Sequence, residues 1–166
     1  KSRRLELHNY AAVEVLQKIV NLIREEALSK GIAIKTEWGV NLLAIPMDMD
    51  KLQQALLNFV KNAMESIHGE GVITLAAALK EKDLIGITIS DTGCGMEREE
   101  IERIFNPEYT TKEKGLGLGL ALAHEIIKGH GGEIHVSSAP GAGTTFVIFL
   151  PSKNTDHRVN GKAALT

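Results

Sequence analysis

Sulfur chemistry is nearly absent from this sequence: Cys94 is its one cysteine. A single thiol excludes a disulfide framework and fits a reducing compartment, so a cytoplasmic setting is expected, with membrane anchoring of a longer parent chain left open. Aromatic residues are few, with one Trp, two Tyr and four Phe, and the formal net charge is −2. That leaves neither the stacking platforms nor the basic stripe of a nucleic-acid binder. No apolar run approaches the roughly 20 residues that a membrane-spanning helix needs, and no direct membrane contact is expected. The basic start "KSRR" has no apolar core behind it and does not read as a secretory signal. An initiator methionine is missing and the amphipathic pattern begins abruptly, so a piece of a longer chain is expected.

What is present is a globular balance, 43% hydrophobic and 24% charged over 166 residues, which suits one domain with a real core. We place that domain at 1–151 and read the polar remainder, 152–166, as a disordered tail. Residues 5–29 carry a helical pattern. "SKGIAIKTEW" alternates like a strand, and "LLAIPM" reads as its hairpin partner across a turn near Gly39 to Asn41. A second helix, capped by Asp48 or Asp50, runs through "KLQQALLNFVKNAMESI". Strands "VITLAAAL" and "LIGITISD" follow, then a segment at about 96–116 read as a mobile lid containing a short acidic helix. A helix from Leu118 to Lys128 and strands "GEIHVSS" and "GTTFVIFLP" close the domain. Paired strands separated by helices argue for an α+β fold, a two-layer sandwich with a mixed, mostly antiparallel sheet on about three helices.

Three stretches carry chemistry. On the second helix Gln54, Asn58, Asn62 and Glu65 fall in one narrow stripe of an otherwise apolar pattern. Either the stripe is a polar edge facing water, or it is a metal and phosphate site, since an asparagine carbonyl is a hard oxygen ligand suited to Mg²⁺. "ISDTGCGM" ends an apolar strand on Asp91 and follows it with Gly93 and Gly95. A strand-to-turn aspartate would explain it. So would an adenine sensor, because a carboxylate accepts a hydrogen bond from an exocyclic amino group and repels the carbonyl that guanine presents there. Cys94 reads as a small hydrophobe packed near that pocket. "GLGLGL" at 115–120 has neither Walker A nor dinucleotide spacing, but it runs into a helix N-terminus at about Gly119, where free amides favour an anion. His130 reads as a helix C-terminal residue placed favourably for the dipole.

Taken in order, NxxxNA at 58–63, DTGCGM at 91–96, "FNPEYTTK" at 105–112, GLGLGL at 115–120 and "GAGTTF" at 141–146 resemble the N, G1, F, G2 and final glycine motifs of the catalytic and ATP-binding domain of bacterial sensor histidine kinases. The resemblance covers about residues 10–151. It implies a Bergerat-type fold, shared with gyrase, Hsp90 chaperones and MutL, that binds ATP with Mg²⁺ under a flexible lid. By motif position Asn62 would be the Mg²⁺ ligand and Asn58 a second contact to metal or phosphates. Asp91 would read adenine, with Gly93 and Gly95 shaping the pocket. Gly115, Leu116, Gly117, Leu118 and Gly119 would line the triphosphate, with Lys112 as a phosphate contact. Phe105 would fasten the lid, and Thr144 or Thr145 would support the adenine end. Asn58, Asn62 and Lys112 would form the catalytic set. One departure is that Glu65 stands where a large branch of the family has Lys or Arg. The "TTK" and "NAMES" stretches look most like nitrogen-regulation and sporulation-type kinases.

The family's phosphoacceptor histidine lies on a separate dimerisation domain, and its motif is matched neither at His8 nor at His124. The resemblance therefore implies transfer from ATP to a histidine outside this chain, a response regulator as partner of the full-length kinase, and a monomer for the domain alone. The rival readings are an ATP hydrolase of the gyrase or MutL kind, and an ATP-binding regulatory module without transfer. Against the first, Asn58 stands where the hydrolases carry their glutamate base and cannot take a proton at neutral pH.

Overall fold

The computed structural model describes residues 4–40, 42–81, 83–107 and 118–153. Strand β1 (His8–Ala11) leads directly into helix α1 (Ala12–Ser29), and the Glu14 carboxylate accepts the Ala11 N–H at 2.8 Å, completing half of a capping box. The expected helix over 5–29 thus begins later, after a strand. Strands β2 (Ile32–Trp38) and β3 (Ala44–Met47) precede helix α2 (Met49–Ser66). Strands β4 (Gly71–Glu81) and β5 (Leu84–Asp91) follow, then a single turn of helix, α3 (Arg98–Ile101). Helix α4 (Leu118–Gly129) and strands β6 (Glu133–Ser138) and β7 (Thr144–Pro151) complete the order.

Five strands form one sheet in the order β2-β4-β5-β7-β6, all neighbours antiparallel except β2 with β4. The α+β sandwich expected from the sequence is the one observed. The expected hairpin between "SKGIAIKTEW" and "LLAIPM" is not. β2 runs parallel to β4, with α2 in the crossover that a parallel pair requires, while β3 leaves the main sheet to pair with β1. Pro46 gives a physical reason: lacking an N–H, it cannot donate to a ladder and suits a short outlying strand, where it lies opposite Asn9.

The helices cover one face of the sheet. Ala12, Val15, Leu16, Ile19, Ile23 and Ala27 of α1 recur at helical spacing and are buried, as are Leu52, Leu56, Phe59, Val60 and Ala63 of α2. Alternate residues Ile73, Leu75 and Ala77 of β4, Ile85, Ile87 and Ile89 of β5, and Phe146, Ile148 and Leu150 of β7 meet them. At the centre the rings of Phe59 and Phe146 lie 4.8 Å apart.

Asp48 caps α2. Its Oδ1 accepts the Lys51 N–H at 3.2 Å and its Oδ2 the Glu6 N–H at 3.1 Å, so one carboxylate ties the helix start to the N-terminal segment. Burial disfavours its charge but is outweighed by those two amides and by the nearby charge of Lys51, so its pKa lies below the usual carboxylate value. The linkage follows: this contribution to stability is present above the unfolded pKa and is lost as pH falls through the lowered one. Asp48→Ala should therefore cost about 1–2 kcal/mol at neutral pH, and the deficit should shrink in acid. Urea midpoints measured at pH 7 and pH 3 test this, and an equal deficit at both would contradict it.

His130 forms a second tie at the same place. Its Nε2 accepts the Asp48 N–H at 3.0 Å, which leaves the proton on Nδ1 to be donated to the Ile126 carbonyl at 2.8 Å. The ring is buried and bridges two backbones, so at the C-terminal end of α4 His130 is also a clasp between α4 and α2.

Candidate functional site

Asp91 is the last residue of β5 and only 6% exposed. Burial pushes its pKa above the usual carboxylate value, an effect moderated by the Gly93 amide, the Ser66 hydroxyl and a backbone hydrogen bond from Thr144. The Gly93 N–H reaches Oδ1 at 2.8 Å and the Ser66 hydroxyl reaches it at 3.2 Å, shared with the Ala63 carbonyl at 2.8 Å. An aspartate whose Oδ1 is held by two donors in a nearly dry place is pre-oriented, with its remaining acceptor capacity available to a ligand.

Two glycine turns wrap this strand end. Gly95 has φ +68° and a Cβ there would run into the Ala139 carbonyl, while Gly143 has φ +72° and a Cβ would run into the Asp91 carbonyl. The turns are bonded to each other and to α2 through Cys94, whose N–H donates to the Ser66 carbonyl at 2.9 Å and whose carbonyl accepts the Gly141 N–H at 2.7 Å. The Cys94 side chain is exposed, which corrects the expectation that it packs as a small hydrophobe.

Thr144 lies opposite Asp91 in the β5–β7 register and is buried. The Ser138 hydroxyl donates to the Gly143 carbonyl at 2.9 Å and accepts the Met96 N–H at 2.9 Å. With its one proton committed, Ser138 accepts from Thr144 at 2.8 Å. Thr145 points to the opposite face, where it pairs with Ser90 at 2.8 Å. Of the two threonines, then, it is Thr144 that joins the site.

The α2 stripe divides in two. Gln54 and Glu65 are exposed, whereas Asn58 and Asn62 are half-buried. Asn58 Nδ2 donates to the Gly119 carbonyl at 3.0 Å, in the first turn of α4. Ser66, one turn beyond Asn62, reaches Asp91. The line 58, 62, 66 thus connects the start of α4 to the end of β5, and Asn62 lies midway. Sequence reasoning missed Ser66 and Ser138. The i, i+4, i+8 spacing of Asn58, Asn62 and Ser66 was the available signal for the first, and nothing in the pattern marked the second.

The first part of the expected lid is packed on the body. Met96 is tied to Ser138, Ile104 is buried, and the Phe105 ring lies 4.9 Å from His124 and 6.5 Å from Phe146. His124 is thus a packing partner of Phe105. Lys112, Gly115, Leu116 and Gly117 lie outside the described residues, and Leu118 opens α4. No cluster of three or more His, Cys, Asp or Glu able to hold a metal occurs among the described residues. A cation here would be held as Mg²⁺ commonly is, by few protein oxygens with phosphate and water completing its shell.

Residues 47–154 match the model of the histidine kinase-, DNA gyrase B- and HSP90-like ATPases. The chain belongs to this family. Within this ATPase family it is 39% identical over 138 residues to the sensor histidine kinase ZraS of Salmonella typhi, an alignment spanning 83% of this chain and 30% of ZraS. The chain therefore spans about a third of the length of such relatives. Among solved structures, the catalytic domain of histidine kinase ThkA superposes with a TM-score of 0.79 at 26% identity, over 89% of this chain and 97% of that one. ThkA in complex with response regulator protein TrrA gives 0.77 at 25% identity, over 90% and 42%. Full-length ShkA in complex with AMPPNP gives 0.83 at 29% identity, over 91% and 32%.

Proposed function

We propose that this domain binds Mg²⁺–ATP between α2, the end of β5 and the start of α4, and that it transfers the γ-phosphoryl group to a histidine on a separate dimerisation domain in two-component signalling. The observation that carries the reading is the line of Asn58, Asn62 and Ser66 ending at the buried carboxylate of Asp91. Asp91 accepts the adenine amino group, and Thr144 and the turns at Gly93 and Gly95 shape the walls around it. The triphosphate then extends along α2 toward Leu118 and Gly119 at the start of α4, and motif position assigns Lys112, Gly115, Leu116 and Gly117, outside the described residues, to phosphate contact. Asn62 would supply an oxygen to Mg²⁺, with Asn58 in support. Bound there, the ion would neutralise charge on the transferring phosphoryl group.

In the reaction the bond between the γ-phosphorus and its bridging oxygen breaks, a bond to an imidazole nitrogen forms, and ADP leaves. The chain's own contribution is to orient the nucleotide and keep the γ-phosphate from water. Asn58 favours this over hydrolysis, because an amide engaged with the Gly119 carbonyl cannot serve as a general base. The AMPPNP bound to ShkA and the response regulator bound to ThkA support the same reading for the nucleotide and for a response regulator acting downstream of the whole kinase. The cytoplasm is the compartment where ATP and such a partner meet.

The chain mixed with [γ-³²P]ATP and Mg²⁺ should stay unlabelled and should label an added dimerisation domain carrying the acceptor histidine. EDTA should abolish the labelling. Stable self-labelling at His124, or release of inorganic phosphate faster than transfer, would overturn the reading.

A further inference from the structure

Among the described residues β2 is the outer strand at one end of the sheet. The Gly39 N–H reaches the Ala77 carbonyl at 2.8 Å, and the Gly71 N–H reaches the Gly31 carbonyl at 3.4 Å. Within a strand the N–H and C=O of one residue point to the same side, and the side alternates along the chain. Odd-numbered residues from 31 to 39 therefore turn their backbone toward β4, and Ile32, Ile34, Thr36 and Trp38 turn theirs to the open side. The side chains of Ile34, Thr36 and Trp38 also line a groove of about 410 Å³ whose other wall is Gln17, Val20, Asn21 and Arg24 of α1. Just past the end of this edge Val40 stands exposed, at 82%.

An open strand edge is a template for pairing, and lysines commonly guard it. Here Lys35 is accompanied two residues later by Glu37, and the pair is self-complementary. We propose that β2 pairs antiparallel with β2 of a second copy of this chain, in a two-fold register centred on Thr36. Centring on Lys35 would set lysine against lysine, and centring on Glu37 would set glutamate against glutamate, both destabilising. Centring on Thr36 sets Lys35 opposite Glu37 of the second copy, twice by symmetry, and sets Ile34 opposite Trp38 and Ile32 opposite Val40. It also makes Thr36, Ile34 and Trp38 exchange hydrogen bonds with their opposites, because theirs are the outward backbone groups. The contact is isologous and closes on itself, giving a dimer with one sheet continuous across it. The groove lies between α1 and the face of β2 that carries Ile34, Thr36 and Trp38. This departs from the monomer expected from the sequence, and it leaves Asp91 and the α2 stripe uncovered.

Sedimentation velocity of this chain from micromolar to millimolar concentration tests the pairing, together with emission from Trp38, the sole tryptophan. The mass should rise toward twice that of the monomer, and the emission should shift to the blue as Trp38 meets Ile34 of the second copy. Lys35→Glu and Glu37→Lys should each weaken association about tenfold, and the two together should restore it. Thr36→Pro should abolish association with an unchanged circular dichroism spectrum, because the Thr36 N–H is not used by β4. A monomer at every concentration, a double reversal no better than the single ones, or association that survives Thr36→Pro would overturn the proposal.

Discussion

Asp91→Asn should yield a domain that melts at or slightly above the wild-type temperature at pH 7 and binds ATP at least tenfold more weakly. Both halves of that result follow from one geometry. The carboxylate is buried, and burial, ahead of the Gly93, Ser66 and Thr144 hydrogen bonds, sets the direction of its pKa, which is raised. The sign of the linkage is then fixed. The protonated form is favoured in the folded state, so the associated stability is fully present below the unfolded pKa and is lost as pH rises through the folded one. An amide removes that loss while its oxygen still accepts from the Gly93 N–H and the Ser66 hydroxyl. Its NH₂ group is left facing the ligand, where it meets the adenine amino group donor to donor. Losing a charge-assisted hydrogen bond costs about 1.5–3 kcal/mol, or roughly 10- to 150-fold in Kd. Affinity for GTP, which presents a carbonyl at that position, should not fall in parallel, so the preference for ATP should collapse. Titration calorimetry with both nucleotides and melting curves from pH 4 to pH 8 separate the two halves. An unchanged ATP affinity would remove Asp91 from the adenine reading and leave the fold argument standing.

How much of this was legible beforehand differs from element to element. Helices α1, α2 and α4 and the strands "LIGITISD" and "GTTFVIFLP" declare themselves because their apolar spacing matches burial on one face. The partner of "SKGIAIKTEW" was misread because alternation specifies a strand's two faces and says nothing of its neighbour. Adjacency in sequence favoured the hairpin, while the long-range β2–β4 pairing depends on α2 lying between them. The site divides in the same way. Asp91 and Asn62 stood out as candidates because a polar residue in an apolar run needs a reason, and chain order related them to Asn58, Gly93 and Gly95. Ser66 and Ser138 were not, since a serine near a turn is unremarkable until Asp91 and Thr144 are seen beside it. Cys94 was read as a packed small hydrophobe because free cysteine is commonly buried, whereas it is exposed on a turn whose backbone is bonded to Ser66 and Gly141.

The second large effect concerns the turn behind Asp91, and a comparison of neighbouring glycines isolates it. Gly141 and Gly143 both adopt a left-handed backbone, with φ of +76° and +72°. A Cβ on Gly141 would meet no atom within 4 Å, whereas one on Gly143 would enter the Asp91 carbonyl and press on Thr92. Both alanine variants carry the conformational cost of a non-glycine residue in this region, about 1–2 kcal/mol. Only Gly143→Ala adds a steric conflict with backbone, which cannot rotate away as a side chain can, for a further 1–3 kcal/mol or so. Relief requires β7 to move off the end of β5. The Gly143 carbonyl would then leave the Ser138 hydroxyl, and Thr144 would leave Asp91. Gly143→Ala should therefore lower the denaturant midpoint well beyond Gly141→Ala and should also weaken nucleotide binding, while Gly141→Ala keeps near-normal affinity at slightly reduced stability. Equal losses of stability in the two variants would mean that the backbone conformation, and not the packing of this turn against Asp91, sets the requirement for glycine.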